Sequence, residues 1–249
     1  MIQRVVRIAY PYGSVRRVMR GPARGLRFTV APGIGFTYAW GTADAAPRHF
    51  EAWVRPGATV YDVGANKGQM ALIFAALVGA RGRVVSIEPA PHEFTSLKAN
   101  IELNRLAHVH AIQGAAAEAA GELQFAYAAD RPTQGKLTSV EQTYVNPGSS
   151  TFTVQATTLD DIAARDAMPD VIKIDVEGAG AAVLRGARRI LDTKRPHVYI
   201  ELHGPEEQAG VRDELVARGY TLHTLEGGTV ADPVASWHTP LWCHPAGSR

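Results

Sequence analysis

A single cysteine, Cys243, rules out an internal disulfide and a cysteine-based zinc site, and a cytosolic setting is expected. No apolar run approaches the roughly 18 residues of a membrane span, so no membrane-spanning segment is expected. The start also lacks the apolar core of a secretory signal, and an unprocessed, soluble chain is the expectation. Acidic residues are missing from positions 1–30, which hold Arg4, Arg7, Arg16, Arg17, Arg20, Arg24 and Arg27, so the remainder is net acidic although the whole chain carries +2. Arginines spaced through a Gly/Pro-punctuated segment read as a solvated face, with docking to an anionic partner as the alternative. What is abundant is apolar surface: 46% of the 249 residues can fill the core of one α/β domain.

The run Val60-Tyr61-Asp62-Val63 leads through Gly64-Ala65-Asn66-Lys67-Gly68 into Gln69-Met70-Ala71-Leu72. It reads as a buried strand, a tight turn and a helix, the layout in which an open sheet binds a nucleotide-like ligand. Two glycines of the dinucleotide fingerprint are absent, replaced by Asn66 and Gln69, so a pyrophosphate site is degraded. Asp62 adds negative charge where a phosphate is repelled and a cationic group is welcome. Glu88, ending Val84-Val85-Ser86-Ile87, is placed to accept both hydroxyls of a ribose. Such a glycine turn alone also occurs as packing punctuation. With Glu88 beside it, the combination points to S-adenosylmethionine.

Residues 1–43 break into short strand-like pieces such as Leu26–Val30 and read as a basic, β-rich arm or cap; residues 44–249 read as the main domain. A helix is expected over 44–54. Strands follow at 58–63, 83–88, 108–113, 170–175 and 197–202, with helices near 68–79, 91–103, 179–192 and 206–218. This alternation specifies a doubly wound, mainly parallel sheet. Between about 121 and 157 two strand-like runs flank a polar loop with Thr133, Gln134 and Asn146-Pro147-Gly148, read as a lid or acceptor-side insertion. Residues 220–243 suggest a final hairpin-like return.

A second constellation is Ile172-Lys173-Ile174-Asp175-Val176-Glu177-Gly178, an apolar strand that delivers two acids before a helix. Ligands lie at the carboxyl ends of such strands. Tyr199-Ile200-Glu201-Leu202-His203 repeats the device, and strand parity places Glu201 and His203 on one face. His203 is the first candidate for a general base, followed by Asp175 and Glu201. Glu177 has a structural alternative as a helix-start acceptor. Asp175, Glu177, Glu201 and His203 also carry ligand atoms suited to a divalent metal. No spacing demands one, and no metal is predicted.

In order and spacing, Asp62–Gly68, Glu88-Pro89 with Asn100, Gly114-Ala115-Ala116, Ile174–Gly178 and Leu184-Arg185-Gly186-Ala187 resemble the FkbM family of S-adenosylmethionine-dependent methyltransferases. The resemblance spans roughly 40–203. It implies a Rossmann-like seven-stranded methyltransferase sheet and O-methylation of a hydroxyl on a sugar or secondary metabolite. By position, it places Asp62, Gly64, Asn66 and Gly68 on the methionine side of the cofactor, Glu88 with Pro89 at the ribose, and Ala115 or Ala116 beside the adenine. Asp175 and Glu177 fall at the reacting end. Three places depart from the family pattern: Ala43-Asp44 in Gly41–Asp44, Ala117-Glu118 where Ser-Asp is usual, and Gly180 where the family has glutamate. The expected partner is a small-molecule or glycan hydroxyl acceptor. Nucleic acid and a non-catalytic cofactor-binding role are the alternatives, and a homodimer is compatible with the sequence.

Overall fold

The computed structural model describes residues 9–32, 34–40, 46–127, 135–137, 150–230 and 240–247. It begins with a hairpin of β1 (Val15–Arg17) and β2 (Arg27–Thr29), then helices α1 (Phe36–Ala39) and α2 (Ala46–Trp53). The chain continues through β3 (Thr59–Val63), α3 (Gln69–Val78), β4 (Arg83–Glu88), α4 (Pro91–Leu103) and β5 (Val109–Gln113). Next come β6 (Ala115–Ala116), β7 (Gly121–Tyr127), β8 (Gly135–Leu137), β9 (Ser150–Thr157) and α5 (Leu159–Arg165). The last part holds β10 (Val171–Ile174), α6 (Gly180–Arg185), α7 (Arg188–Thr193), β11 (His197–Ile200), α8 (Pro205–Val216), β12 (Tyr220–Thr224) and β13 (Leu241–Pro245).

Seven strands form the central sheet in the order β12-β13-β11-β10-β3-β4-β5. Only β13 runs against its neighbours; β11, β10, β3, β4 and β5 pair in parallel. The inner strands are apolar on consecutive positions because both faces are covered. Val60, Val84, Val171, Tyr199 and Trp242 pack with Phe50 and Phe74 on one face. Tyr61, Val63, Ile172, Ile174, Val198 and Ile200 pack with Leu184, Ile190 and Leu215 on the other. Chain order reverses between β3 and β10, so the carboxyl ends of these two strands open the crevice where such sheets hold ligands.

Residues 115–116, 121–127, 135–137 and 150–157 build a second, four-stranded sheet, β6-β9-β7-β8, while Thr133, Gln134 and Asn146–Pro147–Gly148 lie outside the described residues, as does Gly41–Asp44. The expected helix over 179–192 is two helices. A Cβ on Gly186 would lie 2.0 Å from the Ala117 carbonyl oxygen, so the chain breaks there to pass that backbone. The Asp160 carboxylate then accepts from the Arg189 and Ile190 amides at 2.9 and 3.0 Å and caps the new helix. Helix α5, not anticipated above, has an ordinary start signal: the Thr158 hydroxyl accepts from the Asp161 amide at 2.9 Å.

The N-terminal segment is seated on the core. Phe28, Val30, Ile34 and Tyr38 pack with Leu72 and Ile73 of α3. Asn100 of α4 ties it down: its Oδ1 accepts from the Thr29 amide at 2.9 Å and its Nδ2 donates to the Lys67 carbonyl at 2.9 Å. Since Asn100 is 1% exposed, Asn100→Ala strands two backbone groups and is expected to cost about 3 kcal/mol, read as a lower urea midpoint.

Candidate functional site

Asp62 and Lys173 are register partners on adjacent strands at the reversal of the sheet. Both are buried, 0% and 4% exposed, with Lys173 Nζ 3.4 Å from Asp62 Oδ1. The ammonium also donates to the Gly64 carbonyl at 2.9 Å and lies 3.7 Å from Asp175 Oδ2. Burial opposes the charge on Lys173, but Asp62, Asp175 and Glu201 outweigh it and hold the lysine above its ordinary range. Burial raises the Asp62 carboxyl, and Lys173 only partly offsets this. The cation beside Asp62 is thus internal. The sequence signal for Lys173 is a charge inside a strand buried on both faces.

The glycine turn is held by contacts that leave no room for side chains. Gly64 sits at φ +76°, and a Cβ there would lie 1.9 Å from the Asp175 carbonyl oxygen. The turn after β3 and the chain leaving β10 therefore touch backbone to backbone. Asn66 is left-handed at φ 49°, a conformation asparagine tolerates. Gly68, at φ +88°, begins α3 against Leu97. Glu88 closes the turn: Oε2 accepts from the Asn66 amide at 2.7 Å and Oε1 from the Ala90 amide at 2.9 Å, with Pro89 between. Burial pushes the Glu88 carboxyl up to about 7 against those two bonds.

On the adjoining rim, Glu177 is left-handed at φ 51° and Gly178 follows at φ 102°. This tight turn brings Glu177 Oε2 to 3.7 Å from His203 Nε2, while Asp175 Oδ1 lies 3.6 Å from the same nitrogen. The three side chains remain partly open, 34% for Asp175, 19% for Glu177 and 23% for His203. Glu201, whose charge also favours the Lys173 ammonium, accepts from the Tyr199 hydroxyl through Oε1 at 3.0 Å, just beyond the end of β11 at Ile200. Ala115 and Ala116 pair with Ala156 and Thr157 of β9 and are buried. Among the described residues, no group of three or more His, Cys, Asp or Glu is arranged to hold a metal ion.

Glu207 was not anticipated. Buried in α8, it accepts from the His203 amide at 2.7 Å and from the Gly180 amide at 2.7 Å. A Cβ on Gly180 would lie 2.7 Å from both Glu207 Oε1 and Ile200 Cδ1, so this carboxylate and the isoleucine share the space of a side chain at 180. Gly180 is the departure from the family glutamate noted in the sequence.

The sequence matches the methyltransferase FkbM domain over residues 62–222. No curated protein matches it. The fold is similar to that of a methyltransferase FkbM from Methylobacillus flagellatus, with 18% identity and a TM-score of 0.52, covering 84% of this chain and 53% of that one. The chain thus spans about half the length of that relative. Aeropyrum pernix fibrillarin with natively bound S-adenosyl-L-methionine has 15% identity and a TM-score of 0.47, covering 77% of this chain and 68% of that one.

The site carries two stability predictions. Lys173→Met leaves Asp62 buried without its cation and is expected to cost about 3 to 5 kcal/mol in urea unfolding. For Glu88, whose carboxyl is raised from 4.5 to about 7 in the folded chain, the stabilising contribution is complete below about pH 4.5 and lost as pH rises through about 7. The stability of the wild type relative to Glu88→Gln is therefore expected to fall by up to about 3 kcal/mol between pH 5 and 8, measured as paired urea midpoints.

Proposed function

The chain belongs to the FkbM methyltransferase family, and from that premise we propose that it is an S-adenosylmethionine-dependent O-methyltransferase acting on a hydroxyl of a sugar or secondary metabolite. The observation that carries this reading is His203, partly open and set between Asp175 and Glu177 at the switch point of the sheet.

The residues present fit the cofactor. Asp62 is buried with Lys173 at one oxygen and no hydrogen-bond donor at Oδ2, and each Glu88 oxygen, having accepted one backbone amide, keeps a lone pair for a ribose hydroxyl. Gly64, Asn66 and Gly68 keep the turn between them free of bulk. When bound, S-adenosylmethionine supplies a methyl group on a sulfonium, a leaving group that needs no activation. Asp62, Asp175, Glu177 and Glu201 outnumber Lys173, which suits that positive charge.

The protein's remaining work is alignment, exclusion of water and removal of one proton. His203 takes the hydroxyl proton as the carbon–oxygen bond forms and the carbon–sulfur bond breaks. Asp175 and Glu177 stabilise the imidazolium that results. Glu207 positions this base through its backbone amide. The acidic rim favours a neutral hydroxyl acceptor and repels a phosphate-rich polymer, which argues against nucleic acid as substrate.

His203→Ala is expected to lower methyl transfer by about 100-fold or more while leaving S-adenosylmethionine affinity unchanged by calorimetry; Asp175→Asn follows in the same direction. The assay is transfer of labelled methyl to host extract, with mass spectrometry of the product. Full turnover in both variants, or label recovered only in RNA or DNA, overturns the reading.

A further inference from the structure

The N-terminal hairpin seats Phe28 in the core and sets Arg16, its register partner, at the rim of that side, while Val15 and Arg17 project from the opposite side; the proposed chemistry uses none of the exposed groups of this arm. Among the described residues, the large apolar side chains left exposed are Tyr12, Val15, Met19 and Phe36, at 41–57%, together with Val216 elsewhere. Four of these five therefore share one short segment. Through the same segment run Arg16, Arg17, Arg20 and Arg24, and no Asp or Glu occurs in the first 43 residues. Among the described residues none of these arginines forms an ion pair; Arg16 and Arg17 donate to backbone carbonyls.

The rings and guanidinium groups form a continuous row. Arg16 lies over the Tyr10 ring at 5.7 Å, Tyr10 meets Phe36 edge-on at 5.6 Å, Phe36 meets Trp40 at 6.0 Å, and Arg20 lies over Trp40 at 5.6 Å. Trp40 Nε1 donates to the Tyr10 hydroxyl at 3.2 Å. Below the row, the Tyr38 hydroxyl donates to the Gln69 carbonyl at 3.1 Å, and Phe28, Val30 and Ile34 anchor the segment to α3. This is a fixed platform.

We propose that this basic, apolar arm docks the protein onto the anionic headgroups of a lipid bilayer. Guanidinium groups on aromatic rings present charge at headgroup depth, and exposed Met, Val, Phe and Tyr side chains gain by entering the boundary with the acyl chains. Single-stranded RNA offers the same negative charge but would need ring faces for its bases. Here Arg16 and Arg20 cover faces of Tyr10 and Trp40, and a sugar–phosphate chain gives exposed Val15 and Met19 nothing to pack against. Charge complementarity and the aliphatic members of the patch together favour the bilayer.

The test is flotation of the full chain with vesicles of phosphatidylglycerol in phosphatidylcholine, set against pure phosphatidylcholine, at low and high salt. Binding is expected on the anionic vesicles alone and to weaken with salt. Met19→Ser, and separately the pair Arg20→Gln with Arg24→Gln, are expected to lower vesicle affinity by about fivefold or more while leaving the melting temperature and S-adenosylmethionine affinity unchanged. The pair Arg17→Gln with Arg24→Gln touches no ring and provides the same readout if the Trp40 contact proves necessary for folding. Failure to float, equal binding to neutral vesicles, folded variants that float as the wild type does, or retention by single-stranded RNA without vesicle binding each overturns the proposal.

Discussion

The charge of Lys173 is the constraint around which the crevice is organised. An ammonium in the middle of a sheet buried on both faces is tolerable only if carboxylates and carbonyls surround it, because an unpaired buried charge costs several kcal/mol. Asp62 from the neighbouring strand, the Gly64 carbonyl and Asp175 meet that requirement. Each belongs to a segment that also builds the crevice. The demand for neutrality inside the sheet therefore fixes the position of groups at its edge.

Two backbone contacts extend this coupling. The Gly64 turn and the chain after Ile174 approach so closely that only glycine fits, which holds the cofactor-facing turn and the acidic rim in one relationship. Glu88 and Asn100 then fasten the same turn to β4 and α4. Asp175 has two neighbours, Lys173 on one side and His203 on the other. Substitutions at Lys173 therefore reach His203 through a single intervening carboxylate, and their effects on folding and on turnover are not separable by activity alone.

Much of this was legible in the sequence because it depends on periodicity and on short-range turn chemistry. The apolar runs at 59–63, 83–88, 109–113, 171–174 and 197–200 give the parallel strands, and glycines before a helix mark the turn. The gathering of Asp175, Glu177 and His203 followed from the rule that ligands lie at strand ends. Register was not legible. Nothing local pairs Asp62 with Lys173, since their opposition depends on which strands become neighbours. The break at Gly186 also escaped, being imposed by the Ala117 backbone, far away in the sequence.

Glu207 occupies the space of an absent side chain at Gly180. A comparison made column by column would score a lost acid at one position and an unrelated acid on another helix, although a carboxylate stands at the start of α6 in the folded chain. A Cβ at 180 would meet the tip of Glu207 and the Ile200 Cδ1, both at 2.7 Å, so the helix start takes its acceptor from a neighbouring helix and not from its own first turn. The chemical role of a position is here carried by a residue 27 places along the chain.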